Sequence, residues 1–227
     1  MRNFIILGDS IMKGVIYSNE KNKYKLCKEN NFDFINNNNF NLINKSKMGA
    51  TINYCEKIIQ NNLELFKNSD VLLSFGGNDC NYNWKEVSQN PKEDHLPFVT
   101  PENFKSTYIN CINSLKKFNA NVFITNLVPI DSKNYFNWIS KNLNSNNILE
   151  WLGDEHVLYR WHEHYSNIIN EISNKCKCPL IDIRNPFLEI HKYKQFLCID
   201  GIHPNINGYE FLQEKLQEKL MPYINLN

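Results

Sequence analysis

Short apolar runs alternate with helical patterns along this chain of 227 residues, and no other feature of the sequence constrains its fold so strongly. The apolar runs are rich in branched and aromatic residues and are bounded by turn residues, as is typical of strands buried on both faces of a parallel sheet. They occupy residues 4–7, 40–43, 71–75, 122–125 and 180–183.

Helical patterns separate these runs. The last of them predicts an amphipathic helix that ends near Pro222. The alternation as a whole predicts the α/β class, with a three-layer α/β/α sandwich built around a mostly parallel, five-stranded sheet. The predicted helices occupy residues 26–34, 52–66, 104–118, 157–176 and 208–220.

The length and charge of the chain indicate its domain organisation and exclude some partners. A chain of this length supports one substantial core, so we expect a single domain over residues 1–227. The formal net charge of +1 gives no overall attraction to nucleic acid or anionic lipid. No segment approaches the roughly 20 apolar residues of a membrane span. We therefore expect neither a nucleic-acid partner nor a membrane partner.

The cysteines and the N-terminal run bear on the compartment. The run at residues 4–7 is too short for the apolar core of a signal peptide. Seven cysteines, an odd number, are scattered over predicted helices, strands and loops, which suits reduced thiols better than a disulfide framework. We expect a cytoplasmic protein; the sequence does not indicate its oligomeric state.

Two polar stretches directly follow predicted strands, and a third precedes the last helix. They are Gly8 to Ser10, Gly76 to Asp79 and Asp200 to Pro204. Because functional sites in such sheets form beyond the carboxyl ends of the strands, the first two stretches should lie side by side. Together the three stretches supply a serine, an amide, and a histidine with a carboxylate.

These residue types fit nucleophilic catalysis. A three-residue separation lets Asp200 reach one nitrogen of His203, while the other nitrogen is free to take a proton from Ser10. The side-chain amide of Asn78 can donate to a developing oxyanion. Simpler interpretations stay open for each position: Ser10 as a helix cap, Asp200 as a turn cap, and Gly76 with Gly77 as a phosphate cradle, although no P-loop lysine accompanies them.

At these positions the chain resembles the SGNH hydrolases, also called the GDSL esterase family. Gly8 to Ser10 are similar to the first sequence block of that family, Asn44 to Thr51 to the second, Gly76 to Asp79 to the third, and Asp200 to His203 to the fifth. The blocks occur in family order across nearly the whole chain. The chain has Ile11 where the family name expects leucine, and it lacks the Asp-x-Gly continuation of the lipase-like members, which bears on the substrate class.

The resemblance implies a flavodoxin-like fold and a covalent acyl-enzyme mechanism. It implies that Ser10 is the nucleophile, His203 the general base and Asp200 the acid that orients it. The backbone N–H groups of Ser10 and Gly49 and the amide of Asn78 would form the oxyanion hole. A glycine at position 49 also suits the start of the following helix, and both interpretations are compatible.

Aromatic residues in two long connections, residues 80–102 and 128–154, are candidates for substrate contact. Tyr82 and Trp84 follow Asn78 closely, and Trp138 lies in the second connection; rings on loops over a nucleophile bind an acyl chain or stack on a sugar. Asp9, beside Ser10, is a further candidate. Packing in the core is the competing interpretation for each ring.

The histidines of the fourth helical pattern do not predict a metal site. His162 and His164 lie on different faces of a helix, unlike the i, i+4 pairing of a helical zinc site. We therefore expect no metal and no cofactor.

The sequence as a whole favours a serine esterase that hydrolyses a small acyl ester through an acyl-enzyme on Ser10, with an acetyl group on a carbohydrate as one candidate substrate. Two alternatives stay open. An acyltransferase would use the same three residues to pass the acyl group to an acceptor alcohol. A non-catalytic flavodoxin-like binding module would keep the sequence blocks only as scaffold.

Overall fold

A parallel five-stranded sheet forms the centre of the computed structural model, which describes residues 1–30, 32–38 and 40–224. In chain order the strands are β1 (Arg2–Gly8), β2 (Val15–Ser18), β3 (Lys23–Leu26), β4 (Phe40–Asn44), β5 (Asp70–Ser74), β6 (Asn121–Thr125) and β7 (Leu180–Ile181). The central sheet has the order β4-β1-β5-β6-β7 and every neighbouring pair is parallel. The predicted α/β fold is confirmed, with all five strands parallel.

Ten helices accompany the strands in the described part of the chain. They are α1 (Ser10–Lys13), α2 (Asp33–Asn36), α3 (Ile52–Asn61), α4 (Trp84–Gln89), α5 (Pro101–Lys117), α6 (Ser132–Ile139), α7 (Ser145–Leu152), α8 (His156–Cys176), α9 (Asn185–Leu188) and α10 (Ile206–Ile224), with 3-10 turns at Leu63–Phe66 and Tyr193–Phe196. No helix within the described ranges combines the length and the apolar character needed to cross a bilayer.

Alternate strand residues point to opposite faces of the sheet and build two separate cores. On one face Ile5 and Leu7 pack with apolar residues of α3, α5 and α8. On the other face Phe4 and Ile6 pack with residues of α10 and with the segment around α2. Because both faces are covered by helices, the strands read in the sequence as continuous apolar runs rather than as alternating ones.

One predicted helix was wrong. Among the described residues of the predicted helix at 26–34, Leu26 ends β3 and helix α2 begins only at Asp33. Strands β2 and β3 pair antiparallel as a hairpin, with Tyr17 directly opposite Tyr24. Their rings stand edge to face, 5.3 Å apart, and such cross-strand aromatic pairs stabilise a hairpin.

Two other helix predictions need smaller corrections. The pattern at residues 52–66 divides at Asn62 into α3 and a 3-10 turn. The last helix continues through Pro222 to Ile224, since Leu220 and Ile224 are both buried against the sheet and this packing outweighs the loss of one helical hydrogen bond.

The long connections that we expected to be loops contain helices of their own. The first holds α4 and the second holds α6 and α7. Apolar residues of these helices form a third cluster with α8, around Trp84, Val87, Ile148 and Leu158. This helical cluster stands beside the carboxyl ends of β5 and β6.

The strand order places the site. The chain leaves β1 toward β4 on one side and then reaches β5 on the other side, so the order reverses between β1 and β5. Ligands of open α/β sheets bind in the crevice at such a reversal, outside the carboxyl ends of the strands. Gly8 to Ser10 follow β1 at this point and Gly76 to Asp79 follow β5.

Asp79, in the segment after β5, forms a hydrogen bond with the start of helix α3. Its buried Oδ1 accepts a hydrogen bond of 2.8 Å from the backbone N–H of Ile52, the first residue of α3. Its Oδ2 is buried and has no partner among the described residues. Burial raises the pKa of Asp79 to about 7; the Ile52 N–H opposes the rise and the charge of Asp9 adds to it.

This raised pKa makes the stability contribution of Asp79 depend on pH. Because the folded state holds the proton more tightly than the unfolded chain, the free energy of unfolding falls as the pH rises from about 4 to about 7, by up to about 1.4 kcal/mol per pH unit. The variant Asp79→Asn cannot titrate and keeps an oxygen for the Ile52 N–H. Relative to the wild-type protein it should therefore gain stability across that window.

Urea denaturation at several pH values measures this difference, with Asp94→Asn as a control that removes an exposed carboxylate. A constant difference in stability between Asp79→Asn and the wild-type protein from about pH 4 to about pH 7 would show that Asp79 is ionised throughout.

Candidate active site

The structure brings Ser10, Asp200 and His203 into one hydrogen-bonded chain. The Ser10 Oγ lies 2.9 Å from the Nε2 of His203, and the Nδ1 of His203 lies 2.7 Å from the Oδ2 of Asp200. All three residues are buried. Residues separated by 193 positions in the sequence thus meet at the carboxyl edge of the sheet.

Asp9 fixes the position of Ser10. It caps the one-turn helix α1, with its Oδ1 accepting a 2.8 Å hydrogen bond from the N–H of Ile11. Gly8 leaves room for this turn, because a Cβ at that position would lie 2.7 Å from the Cβ of Met12. Ser10 is the first residue of the helix, so its own N–H has no partner in the helix.

Asp200 is held in a tight turn that its own carboxylate organises. The Oδ1 accepts hydrogen bonds of 3.1 Å from the N–H groups of Ile202 and His203. Burial alone would raise the pKa of Asp200, but the hydrogen bonds from His203 and from these N–H groups outweigh it and hold the pKa below its usual value. Asp200 is therefore ionised and orients the imidazole.

Gly201, between Asp200 and His203 in the sequence, holds the same turn against helix α6. Its φ of 73° lies in the left-handed region, and a Cβ there would be 2.6 Å from the backbone oxygen of Asp131. The carbonyl of Gly201 accepts a 2.8 Å hydrogen bond from the N–H of Asp131. The close approach of the two backbones requires glycine.

Tyr24, which sequence reasoning missed, supports the same carboxylate. Its hydroxyl donates a 3.2 Å hydrogen bond to the Oδ2 of Asp200, and its ring stands edge-on to His203 with 5.2 Å between centroids. The residue lies on β3, inside the segment next to the wrongly predicted helix. No local pattern connects Tyr24 with a residue 176 positions away.

The Asn78 amide is oriented by two acceptors. Its Nδ2 donates to the carbonyl of Ala50 at 3.0 Å and, more weakly, to the Oδ2 of Asp9 at 3.4 Å. Burial raises the pKa of Asp9 to about 6, against the opposing effects of the Ile11 N–H and the nearby His203. Asp9 thus contacts protein groups through both oxygens, and it also lines the cavity described below.

Gly49 lies in the loop between β4 and α3, which runs beside the end of β1. The N–H of Lys47 donates to the carbonyl of Gly8 at 3.0 Å. Gly49 has a φ of 74° and is exposed, and its N–H has no acceptor among the described residues. The bond from Ile52 to Asp79 holds the other end of the loop.

A cavity of about 80 Å³ opens beside Ser10. Ser10, Asn78 and His203 line it, together with predominantly apolar and aromatic side chains from the ends of the strands and from α4, α6 and α8. Trp84 and Tyr82, two of the predicted contact residues, belong to its wall. Trp84 is buried and its Nε1 donates a 2.7 Å hydrogen bond to the Oδ1 of Asn81.

Trp138, the third predicted aromatic residue, is not among the residues that line this cavity. It is half-buried and packs edge to face on Tyr17, 4.7 Å away, and on Tyr24, 6.1 Å away. Through Tyr24 it stands next to the Asp200 and His203 pair. The three rings form an aromatic cluster, Tyr17, Tyr24 and Trp138, beside the triad.

His162 is a second residue that sequence reasoning assigned no part. It faces the cavity from α8 and is 7% exposed. Its spacing from His164 does not suit a metal site on a helix. In the described ranges no group of three or more His, Cys, Asp or Glu side chains is arranged to hold a metal ion.

The geometry suits acyl chemistry. A serine hydroxyl within hydrogen-bond distance of an imidazole, itself held by an ionised carboxylate, is the arrangement of an activated nucleophile. Ser10 and Asn78, two of the expected oxyanion donors, line the cavity, whereas Gly49 is not among its lining residues.

Comparison with solved structures shows the same fold, with 72 matching chains. The lipase/acylhydrolase from Enterococcus faecalis aligns with a TM-score of 0.65 and 16% identity, covering 98% of this chain and 96% of that one. A catalytic mutant of Axe2, an acetylxylan esterase from Geobacillus stearothermophilus, aligns with a TM-score of 0.64 and 13% identity, covering 96% and 94%. The acetyl xylan esterase AlAXEase gives 0.61 and 21%, covering 95% and 98%.

No protein of curated function matches the sequence significantly. A family model, however, described as the GDSL-like Lipase/Acylhydrolase family, matches residues 6–211. This match spans most of the chain and includes all the sequence blocks discussed above. The chain therefore belongs to the GDSL-like lipase/acylhydrolase family and is an SGNH-type ester hydrolase.

Proposed function

We propose that this enzyme hydrolyses esters of short acyl groups through a covalent acyl-enzyme on Ser10. The observation that carries the proposal is the continuous hydrogen-bonded chain from the Ser10 Oγ through His203 to Asp200, with distances of 2.9 and 2.7 Å. Asp200 is ionised, and the His203 ring contacts both Ser10 and Asp200, as the proposed roles need.

In the first half of the reaction the Ser10 Oγ attacks the ester carbonyl carbon while its proton passes to the Nε2 of His203. Asp200, ionised and bonded to Nδ1, stabilises the imidazolium that forms. Collapse of the tetrahedral intermediate breaks the bond to the alcohol oxygen, which takes the proton from His203. The acyl group stays on Ser10 as an ester.

The oxyanion of this intermediate would be stabilised by three donors: the N–H groups of Ser10 and Gly49, and the amide of Asn78. The first two have no internal acceptor among the described residues. The amide hydrogen of Asn78 that meets Asp9 at 3.4 Å is the one available for the oxyanion, since the other is held by Ala50 at 3.0 Å. One such donor contributes about 10² to 10³ in turnover.

In the second half a water molecule attacks the acyl-enzyme. His203 takes a proton from the water and returns it to the Ser10 Oγ as the tetrahedral intermediate collapses. The carboxylic acid leaves and the serine is regenerated. Because the same imidazole serves both halves, its two hydrogen bonds need no rearrangement between them.

The cavity volume favours short acyl groups. A dry cavity of about 150 Å³ in another protein holds a benzene molecule, whereas this cavity measures about 80 Å³. A cavity of about 80 Å³, roughly half the volume of the benzene site, accommodates an acyl chain of about two to four carbons. A longer chain would displace the packed wall around Trp84 and Leu158.

We favour an acetylated carbohydrate as the substrate, with the sugar on the alcohol side of the ester. Proteins described as acetyl xylan esterases share this fold, and the cavity is too small for a sugar ring, so the sugar would stay outside it. The aromatic cluster of Tyr17, Tyr24 and Trp138 stands beside the triad and is the surface to which we assign such a sugar.

Replacing the proposed nucleophile tests the acyl-enzyme. The variant Ser10→Ala should lose turnover of p-nitrophenyl acetate by about 10⁴-fold or more, since a triad without its nucleophile retains little activity. Ser132→Ala is the matched control, because Ser132 also lies near an imidazole, 3.5 Å from the Nδ1 of His156, but does not line the cavity. Intact-protein mass spectrometry of quenched reactions should find one acetyl group on the wild-type chain and none on Ser10→Ala. Equal turnover by Ser10→Ala and the wild-type enzyme would contradict the mechanism.

The acyl pocket predicts a steep dependence on chain length. We expect kcat/KM for p-nitrophenyl octanoate to be at least about tenfold below that for the acetate and butyrate, because overpacking a rigid wall costs about 1 to 3 kcal/mol. A kinetic series of p-nitrophenyl esters measures it. A rate that rises steadily from acetate to octanoate would refute the short-acyl assignment.

The sugar assignment predicts an effect of Trp138 that depends on the substrate. Trp138→Ala should raise KM about fivefold or more for acetylated xylo-oligosaccharides, because a ring contact contributes about 1 kcal/mol, and should leave KM for p-nitrophenyl acetate unchanged. Trp138→Phe, which keeps a ring, should retain most of the sugar affinity. Equal changes in KM for both substrates would indicate that Trp138 only supports Tyr24.

A further inference from the structure

His162 is a polar residue that the proposed mechanism does not use, although it lines the same cavity as Ser10. Its Nδ1 is fully buried and has no hydrogen-bond partner among the described residues. The Nε2 makes no hydrogen bond to the described residues either, and it is more exposed than Nδ1. Because Nδ1 is enclosed, Nε2 is the nitrogen with which a ligand or water could form a new hydrogen bond.

The surroundings of His162 keep the ring neutral. Burial lowers its pKa to about 3, and the positive charge of Arg184 lowers it further. Arg184 is itself buried, with Glu163 3.8 Å away and the ring of Tyr159 at 5.1 Å. A neutral imidazole has one donor and one acceptor nitrogen, so it offers a hydrogen bond but no charge.

Other polar side chains on this wall already have partners inside the protein. The Asn126 side chain donates to Asp182 at 2.7 Å and accepts from the N–H of Ile183 at 2.8 Å. The Trp161 Nε1 donates to the carbonyl of Cys80 at 3.0 Å, and the Tyr135 hydroxyl donates to Asn81 at 2.8 Å. His162 differs from these residues, since neither of its ring nitrogens has a partner among the described residues. The Tyr82 hydroxyl, also on this wall, likewise makes no hydrogen bond there.

The chemistry of the ring indicates what it would bind. A carboxylate or phosphate would prefer a cation, which this ring does not supply. A hydroxyl group both donates and accepts, so it pairs with a neutral imidazole in either tautomer. The cavity of about 80 Å³ admits such a hydroxyl only on a short chain that starts at the ester carbonyl beside Ser10.

We propose that the cavity binds a short acyl group that carries a hydroxyl, and that the Nε2 of His162 forms a hydrogen bond with that hydroxyl. Lactyl and 3-hydroxybutyryl esters are acyl groups of this class and size. The inference rests on the proposed function, since it assigns the acyl side of the same hydrolysis. His162 is then a specificity-determining residue, and the ester bond is broken by the steps given above.

Matched esters test this assignment. Methyl lactate is compared with methyl propionate, and each enantiomer of methyl 3-hydroxybutyrate with methyl butyrate, by following acid release in a pH-stat. We expect kcat/KM of the wild-type enzyme to be about two- to tenfold higher for a hydroxy ester than for its matched ester, because only the hydroxy ester adds a hydrogen bond to the Nε2 of His162.

Variants at His162 assign the preference to this residue. His162→Phe keeps a ring but no nitrogen, and should bring the ratio of kcat/KM for the hydroxy ester to kcat/KM for its matched ester close to one, whatever its effect on the matched ester alone. His162→Gln keeps a polar group near Nε2 and should retain part of the preference. If His162→Phe does not fold, His162→Leu, which is smaller, provides the same measurement.

The possible outcomes separate this inference from the proposed function. No preference for any hydroxy ester in the wild-type enzyme, as expected if water satisfies His162, overturns the inference. A preference that survives His162→Phe or His162→Leu also overturns it. In both cases turnover of methyl acetate that depends on Ser10 would leave the proposed function intact, whereas absence of that turnover would overturn the proposed function itself.

Discussion

The buried carboxylate of Asp200 is the group on which the geometry of the site depends. It collects hydrogen bonds from the His203 ring, from two backbone N–H groups and from the Tyr24 hydroxyl. A carboxylate with this many donors stays ionised even when it is fully enclosed. One charge therefore shapes the turn, orients the imidazole that contacts Ser10, and connects the hairpin to the last part of the chain.

Much of the fold, and the proximity of the polar stretches that form the candidate site, could be predicted because both depend on local sequence patterns. Each strand is a short apolar run, and Ser10, Asn78, Asp200 and His203 stand in short stretches at strand or helix boundaries. The parallel order then brings those boundaries together without further information. The hairpin was missed because the pairing of β2 with β3 depends on contacts between the strands, among them that of Tyr17 with Tyr24.

The residues that were not predicted either make contacts with residues far away in the sequence or are distinguished by burial without a hydrogen-bond partner. Tyr24 reaches Asp200 across 176 positions. His162 is distinguished by the hydrogen bonds that it lacks, and burial without a partner leaves no trace in sequence spacing. The same holds for Asp79, whose raised pKa comes from enclosure by the surrounding layers.

The helical cluster of α4, α6 and α7 has a consequence for how such an enzyme diversifies. Its apolar residues pack with one another and with α8, apart from the two cores on the faces of the sheet. Residues of this cluster that do not contact the turn at Gly201 can therefore change while the sheet keeps its place. We expect exchanges in this cluster to alter substrate preference with less effect on folding than exchanges at Leu127, Val128 or Ile183, which line the cavity and also belong to the cores of the sheet.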